Sequence, residues 1–250
     1  MSKTGLATVV GAIAFGVMTV VAAAQPVPTP AAAPKRDGAP RPPTSLQAGP
    51  PPANGSHFSA RASQPGGFDA NQRALIDRVS LYLSTIQNLV GDFVQVGPDG
   101  ARTEGQLYLQ KPGKIRFEYK PPSVIEVVAD GSSVVVRDRK LATQDLYPLS
   151  QTPLRYLLAE RLDLLRDTNV VSLAADDVFV TVTIEEKTQF VGTSRLMMMF
   201  GAKDLQLRQW TVTDPQGFDT TVAVYNLDGS KKPDPRLFVI NYDNNVQRVQ

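Results

Sequence analysis

Residues able to do covalent chemistry are scarce in this chain. It has no cysteine, and its one histidine is His57. A hydroxyl or thiol nucleophile needs a base within hydrogen-bond reach. With no histidine after residue 57, the usual serine and cysteine arrangements have no base to use. Adjacent acids occur at Asp176-Asp177 and Glu185-Glu186. Two carboxylates can share acid and base duties across a glycosidic bond, but neighbours on a strand point to opposite faces. Such pairs read as surface charge. The chain carries no Gly-x-Ser-x-Gly, no phosphate-cradling glycine loop and no metal-spaced histidine pair. No cofactor and no metal are expected, and the chain reads as a protein that is not an enzyme.

Flexible and aromatic apolar side chains take the place of reactive ones. Met197-Met198-Met199-Phe200 is an unusual run for a strand. It fits either an ordinary core strand or a cavity wall, since thioethers adapt to ligands of varied shape. Trp210 alternates with Val212, while Phe93, Ile115 and Phe117 fall on other strands. A small barrel either fills itself with side chains or encloses a ligand.

The elements that must position these residues follow from periodicity. Asp69 is a fair N-cap, and Asn71 to Gln87 repeats apolar residues at three and four from Leu75 to Ile86, an amphipathic helix. The period then changes to two. Strands are expected at 90–96, 103–110, 115–120, 124–129, 134–136 and 141–147. Gly97-Pro98-Asp99-Gly100, Lys111-Pro112-Gly113, Pro121-Pro122 and Asp130-Gly131 punctuate them. Pro153 opens a leucine-rich helical stretch, Leu154 to Leu165, which reads as either a plain core helix or a lid. Strands resume at 170–173, 178–185, 194–200, 205–213, 218–225 and 237–241. About eleven short strands with short turns give a mainly antiparallel α+β fold, a single curved sheet or barrel.

Composition divides the chain. Of its 20 prolines, 11 fall between Gln25 and Gly67. So Pro-rich a stretch cannot bury enough apolar surface to offset its chain entropy, and it reads as a disordered tether over 25–67. Its Asn54-Gly55-Ser56 matches a glycosylation acceptor, a frequent chance match. Before it, Lys3, the uncharged run from Gly5 to Val21 and Ala22-Ala23-Ala24 have the layout of a secretory signal peptide over 1–24. An uncleaved inner-membrane anchor is the other reading. The folding part, 68–250, carries 21 basic groups against 23 acidic ones, so nothing in it drives nucleic-acid binding.

The order of these pieces resembles the outer-membrane lipoprotein carrier protein of Gram-negative bacteria, the LolA-like family. The residues that carry the likeness are Asp92-Phe93-Val94-Gln95, Glu104-Gly105-Gln106-Leu107-Tyr108-Leu109, Lys111-Pro112, Ile115-Arg116-Phe117-Glu118-Tyr119, Pro121-Pro122 and Asp130-Gly131. Leu154-Arg155-Tyr156-Leu157-Leu158 leading into Arg161-Leu162-Asp163-Leu164 looks like the helical segment of its alphaproteobacterial branch. The resemblance implies an unclosed antiparallel β-barrel with a helical lid over a hydrophobic cavity. It also implies a periplasmic, non-catalytic carrier that shelters the acyl chains of lipoproteins. Its partners would be an inner-membrane ABC-type release complex and an outer-membrane acceptor, with the carrier itself a monomer. The cavity would be lined by Phe93, Leu107, Leu109, Ile115, Phe117, Met197, Met199 and Trp210. Leu154, Leu157 and Leu158 would form the lid. Lys111 stands where the family usually has an arginine that holds the lid through backbone contacts; lysine lacks the planar five-donor fork. Ile115→Glu is expected to spare the fold and abolish cargo acceptance. The other readings are a general periplasmic lipid or hydrophobe carrier and a non-catalytic envelope interaction protein.

Overall fold

A computed structural model describes residues 67–187 and 192–242 in full, and the backbone of 188 and 246–248. The expected signal segment, the tether up to residue 66, Asn54-Gly55-Ser56 and His57 lie outside the described residues. No helix among the described residues is long and apolar enough to cross a membrane.

The first element is α1, Ala70–Thr85. Asp69 caps it in a capping box: its carboxylate accepts from the backbone N–H of Gln72, whose side chain accepts from the N–H of Asp69. Ile76, Val79 and Leu83, at spacings of three and four, are buried on one face. Eleven antiparallel strands follow, beginning with β1 (Asn88–Val96), β2 (Arg102–Gln110), β3 (Lys114–Tyr119), β4 (Ile125–Asp130), β5 (Ser133–Asp138) and β6 (Thr143–Pro148). The chain then leaves the sheet through a 3-10 turn at Leu149–Gln151 and two short helices, α2 (Leu154–Leu158) and α3 (Leu164–Asp167). It returns as β7 (Val170–Ala175), β8 (Phe179–Thr188), β9 (Gly192–Gly201), β10 (Leu207–Thr213) and β11 (Asp219–Asp228). The strand order β6-β5-β4-β3-β2-β1-β11-β10-β9-β8-β7 has two ends, so the barrel is unclosed. A last strand, β12 (Val246–Arg248), adds to β6 in parallel.

Two expectations need correction. Leu154 to Leu165 is not one helix: Ala159 at its middle is extended, and Asp163 starts a new helix by accepting from the N–H of Arg166. Leu237 to Asn241 is not a strand. Asp234 and Pro235 open a 3-10 turn, Pro235–Phe238. The chain then crosses the outer face of the sheet, where Ile240 packs on Val128 and Val135. The apolar run Leu237 to Ile240 buries Phe238 and Ile240 and leaves Val239 exposed, without forming a ladder.

Candidate functional site: the inner face and its helical cover

Strand periodicity sorts side chains onto two faces, and the inner one is almost wholly apolar. Phe93 on β1, Leu107 and Leu109 on β2, and Ile115, Phe117 and Tyr119 on β3 belong to a single buried cluster. From the other half of the sheet come Val180, Val182, Leu196, Met198, Phe200, Trp210, Val222 and Val224. Its centre is aromatic. Phe93 meets Phe117 edge-on at 5.2 Å and Tyr119 at 5.1 Å, and Phe117 lies 6.3 Å from Trp210. Each such pair adds about 0.5–1.5 kcal/mol beyond its burial. Gly105 makes room for it: a Cβ there would stand 2.0 Å from the carbonyl oxygen of Glu118 and 2.9 Å from the Phe93 ring. The one polar pair at this spot is internally satisfied, with the Tyr119 hydroxyl donating to Gln95 Oε1 at 2.8 Å. Burial holds that phenol well above the ordinary tyrosine range.

The three helices supply the other wall. Ile76, Val79 and Leu83 of α1, Leu154, Leu157 and Leu158 of α2 and Leu164 of α3 belong to the same cluster. Polar ties hold this cover at several points. Ser80 Oγ accepts from the N–H of Leu164 at 3.1 Å, and Ser84 Oγ accepts from that of Leu162 at 3.1 Å. The N–H of Leu207 donates to the Tyr82 hydroxyl at 3.1 Å. The turn after β2 grips both α1 and α2: the N–H of Gly113 donates to Leu158 O at 3.0 Å, and Lys111 Nζ donates to Leu83 O at 2.6 Å. Lys111 is only 7% exposed. That burial pulls its ammonium down from 10.5 to about 8. Arg155 on α2 forms an ion pair with Glu186 on β8 and covers the Tyr156 ring at 4.2 Å.

The sequence also matches a described family. The profile of the family outer membrane lipoprotein carrier protein LolA matches residues 84–241. The chain belongs to the LolA family. An outer-membrane lipoprotein carrier protein of Chromohalobacter salexigens is 27% identical over 161 residues, covering 61% of this chain and 75% of that protein. One from Methylococcus capsulatus is 25% identical over 170 residues, 64% of this chain and 80% of that protein. A third, from Methylobacillus flagellatus, is 28% identical over 106 residues, 41% of this chain and 52% of its own length. The chain thus spans about half the length of that last relative. Among solved structures, a LolA superfamily protein of Nitrosomonas europaea aligns with TM-score 0.39 and 9% identity over 68% of this chain and 99% of its own. MucB aligns with TM-score 0.40 and 12% identity, over 71% and 66%. Those scores are low, and the fold stands on this chain's own strand order.

In this LolA-family chain, six of the eight side chains expected to line a cavity face inward: Phe93, Leu107, Leu109, Ile115, Phe117 and Trp210. Met197 and Met199 do not. They are half-buried on the outer face, opposite Thr183 and Thr181 of β8, and the inward methionine is Met198, paired with Val182 and Trp210. Three methionines in a row have no alternation to read, so pairing with the neighbouring strands sets the phase. Leu154, Leu157 and Leu158 sit in the cover, and Lys111 is buried rather than solvated. Ile115 is 1% exposed. A glutamate there would bury an unpaired carboxylate while the cover is closed, so Ile115→Glu should destabilise the closed fold as well as block the inner face. Asp176, Glu185 and Glu186 of the two acid pairs have defined partners. Asp176 accepts from the N–H groups of Phe179 and Val178, which hold its carboxyl below the usual range. Glu185 faces outward to Arg195, and Glu186 turns inward to Arg155.

Sequence reading missed one feature, a pocket of about 510 Å³ at the mouth of the sheet. It opens between the start of β2, the β3–β4 turn and the β5–β6 turn, and its apolar wall includes Pro121, Pro122, Val124 and Ile125. Pro121-Pro122 was legible as a strand stop and a point of family likeness, not as a pocket wall.

Proposed function

We propose that this chain is a periplasmic carrier that shelters the acyl chains of lipoproteins and passes them from the inner to the outer membrane. One observation carries the reading: within this family the chain presents an apolar inner face under helices held at their edges by a few polar ties. Swinging α1, α2 and α3 outward frees the inner face for acyl chains without unfolding the sheet. Each methylene moved from water is worth about 0.8 kcal/mol, so partial shelter suffices to carry a lipidated protein through an aqueous space. Closing the cover again returns apolar side chains to the places the acyl chains held, which favours release.

On this reading the protein does no chemistry and binds no nucleic acid. It is exported by residues 1–24, or anchored by them, and 25–67 extends its reach. Acylated lipoproteins reach it as a monomer from an inner-membrane ABC-type release complex and leave it for an outer-membrane acceptor. The test is a release assay. Inner-membrane vesicles holding a triacylated lipoprotein and the ABC-type complex are supplied with ATP and the purified chain. Lipoprotein appearing in the supernatant as a one-to-one complex is expected. Release that is the same with and without the chain would overturn the proposal.

A further inference from the structure

The mouth pocket calls for an occupant of its own. Its apolar surface comes from Pro121, Pro122, Val124, Ile125 and Leu141. Leu141 is 44% exposed at the rim, an apolar side chain without cover. Ile125 belongs also to the buried inner cluster, so the floor of the pocket is the edge of the interior. The walls are built in advance. The N–H of Lys120 donates to Glu104 O at 2.8 Å, that of Ser123 to Lys120 O at 3.2 Å, and that of Arg139 to Val124 O at 3.1 Å. A volume of 510 Å³ lies within the range of small-molecule sites.

The rim has a sign. Lys120 and Glu104 pair with each other at 3.4 Å. Asp138 turns one carboxylate oxygen to the N–H groups of Lys140 and Leu141 at 2.8 and 3.0 Å. Arg102 and Lys140 also line the pocket, and neither has an ion-pair partner among the described residues. Three cations therefore face two carboxylates around an apolar floor. A guanidinium and an ammonium placed above apolar walls complement a ligand with an anionic head and a hydrocarbon chain.

We propose that this pocket binds a single-chain amphiphile with an anionic head, a lysophospholipid or a fatty acid, its head between Arg102 and Lys140 and its chain along Val124 toward Ile125. This site adjoins the covered interior at Ile125 but does not depend on the interior carrying cargo.

The experiment titrates the full chain, at low salt and below the micelle threshold, with lysophosphatidylglycerol, dodecanoate, lysophosphatidylcholine and neutral monododecanoylglycerol. Trp210, the only tryptophan, is 3% exposed inside the sheet and does not line the pocket, so its emission reports on the interior alone. Two exposed cations on one head should favour the anionic ligands about fivefold over the zwitterionic and neutral ones. In Arg102→Gln/Lys140→Gln, two exposed positions at which the fold is not at stake, the preference should fall within about twofold, with Trp210 emission unmoved throughout. The tighter of the two anions identifies the head. Equal affinity for all four ligands, a preference that survives the double substitution, or competition by inorganic phosphate at the same strength would overturn the proposal. A Trp210 shift that tracks binding would also overturn it, by placing the ligand in the interior; that result would leave the carrier reading intact.

Discussion

Lys111 ties the cover to the sheet with a charge that burial opposes, and this makes closure depend on pH. The residue is 7% exposed, and its ammonium donates to Leu83 O at 2.6 Å and is pulled down to about 8 against 10.5 when free. A lysine with a lower pKa in the folded chain gives up its proton there first, so stability rises with pH between the two values. Below pH 8 both states are protonated and the full cost of burying the charge is present. Between pH 7 and 9.5 the relief amounts to at most about 2 kcal/mol, by linkage from those two values. Lys111→Met has no proton to lose and shows no such rise, whatever constant offset follows from leaving Leu83 O without its donor. Denaturant midpoints of both proteins at pH 7, 8, 9 and 9.5 give the comparison. Buried tyrosines such as Tyr119 and Tyr147 work the other way at higher pH, because their raised pKa values let the unfolded chain ionise first. They affect both proteins alike, and stopping at 9.5 keeps their share small. Equal pH dependence in the two proteins would refute the assignment of the shift to Lys111.

Three further outcomes follow from the packing. Met198→Ala should cost about 2–5 kcal/mol and Met197→Ala less than about 1, measured by urea denaturation, since only Met198 is enclosed. Gly105→Ala should cost about 1–3 kcal/mol or more, because its Cβ meets backbone at Glu118, which cannot swing aside; a thermal midpoint equal to wild type would contradict the register of β2. Ser80→Ala leaves the N–H of Leu164 without its acceptor at a buried site and should cost about 1–3 kcal/mol. Hydrogen exchange should speed up at α3 in that variant while β1 and β2 stay protected.

Local pattern and long-range register were unequally visible in the sequence. Alternation in Ile115-Arg116-Phe117-Glu118-Tyr119 put the right side chains inside, because charged neighbours marked the outer face. The heptad-like spacing of Ile76, Val79 and Leu83 likewise gave α1 its buried face. Met197-Met198-Met199 lacked polar markers, so its phase waited on pairing with Val182 and Trp210. Leu154 to Leu165 looked continuous because leucine is a strong helix former throughout; the extended backbone at Ala159 and the new cap at Asp163 divide it. The mouth pocket joins residues 102, 120–125 and 138–143, which only the sheet brings together. Ser80 and Ser84, which accept from the N–H groups of Leu164 and Leu162, carried no signal beyond two hydroxyls on a helix.

If this inner face receives the acyl chains of lipoproteins, cargo should travel with the protein when it is taken gently from its native compartment and its co-purifying molecules are identified by mass spectrometry. Triacylated lipoproteins bound one to one are the expected result. A chain that carries none, and that also fails to take up an apolar dye at low pH where Lys111 is charged, would contradict the claim and mark the interior as a permanently filled core.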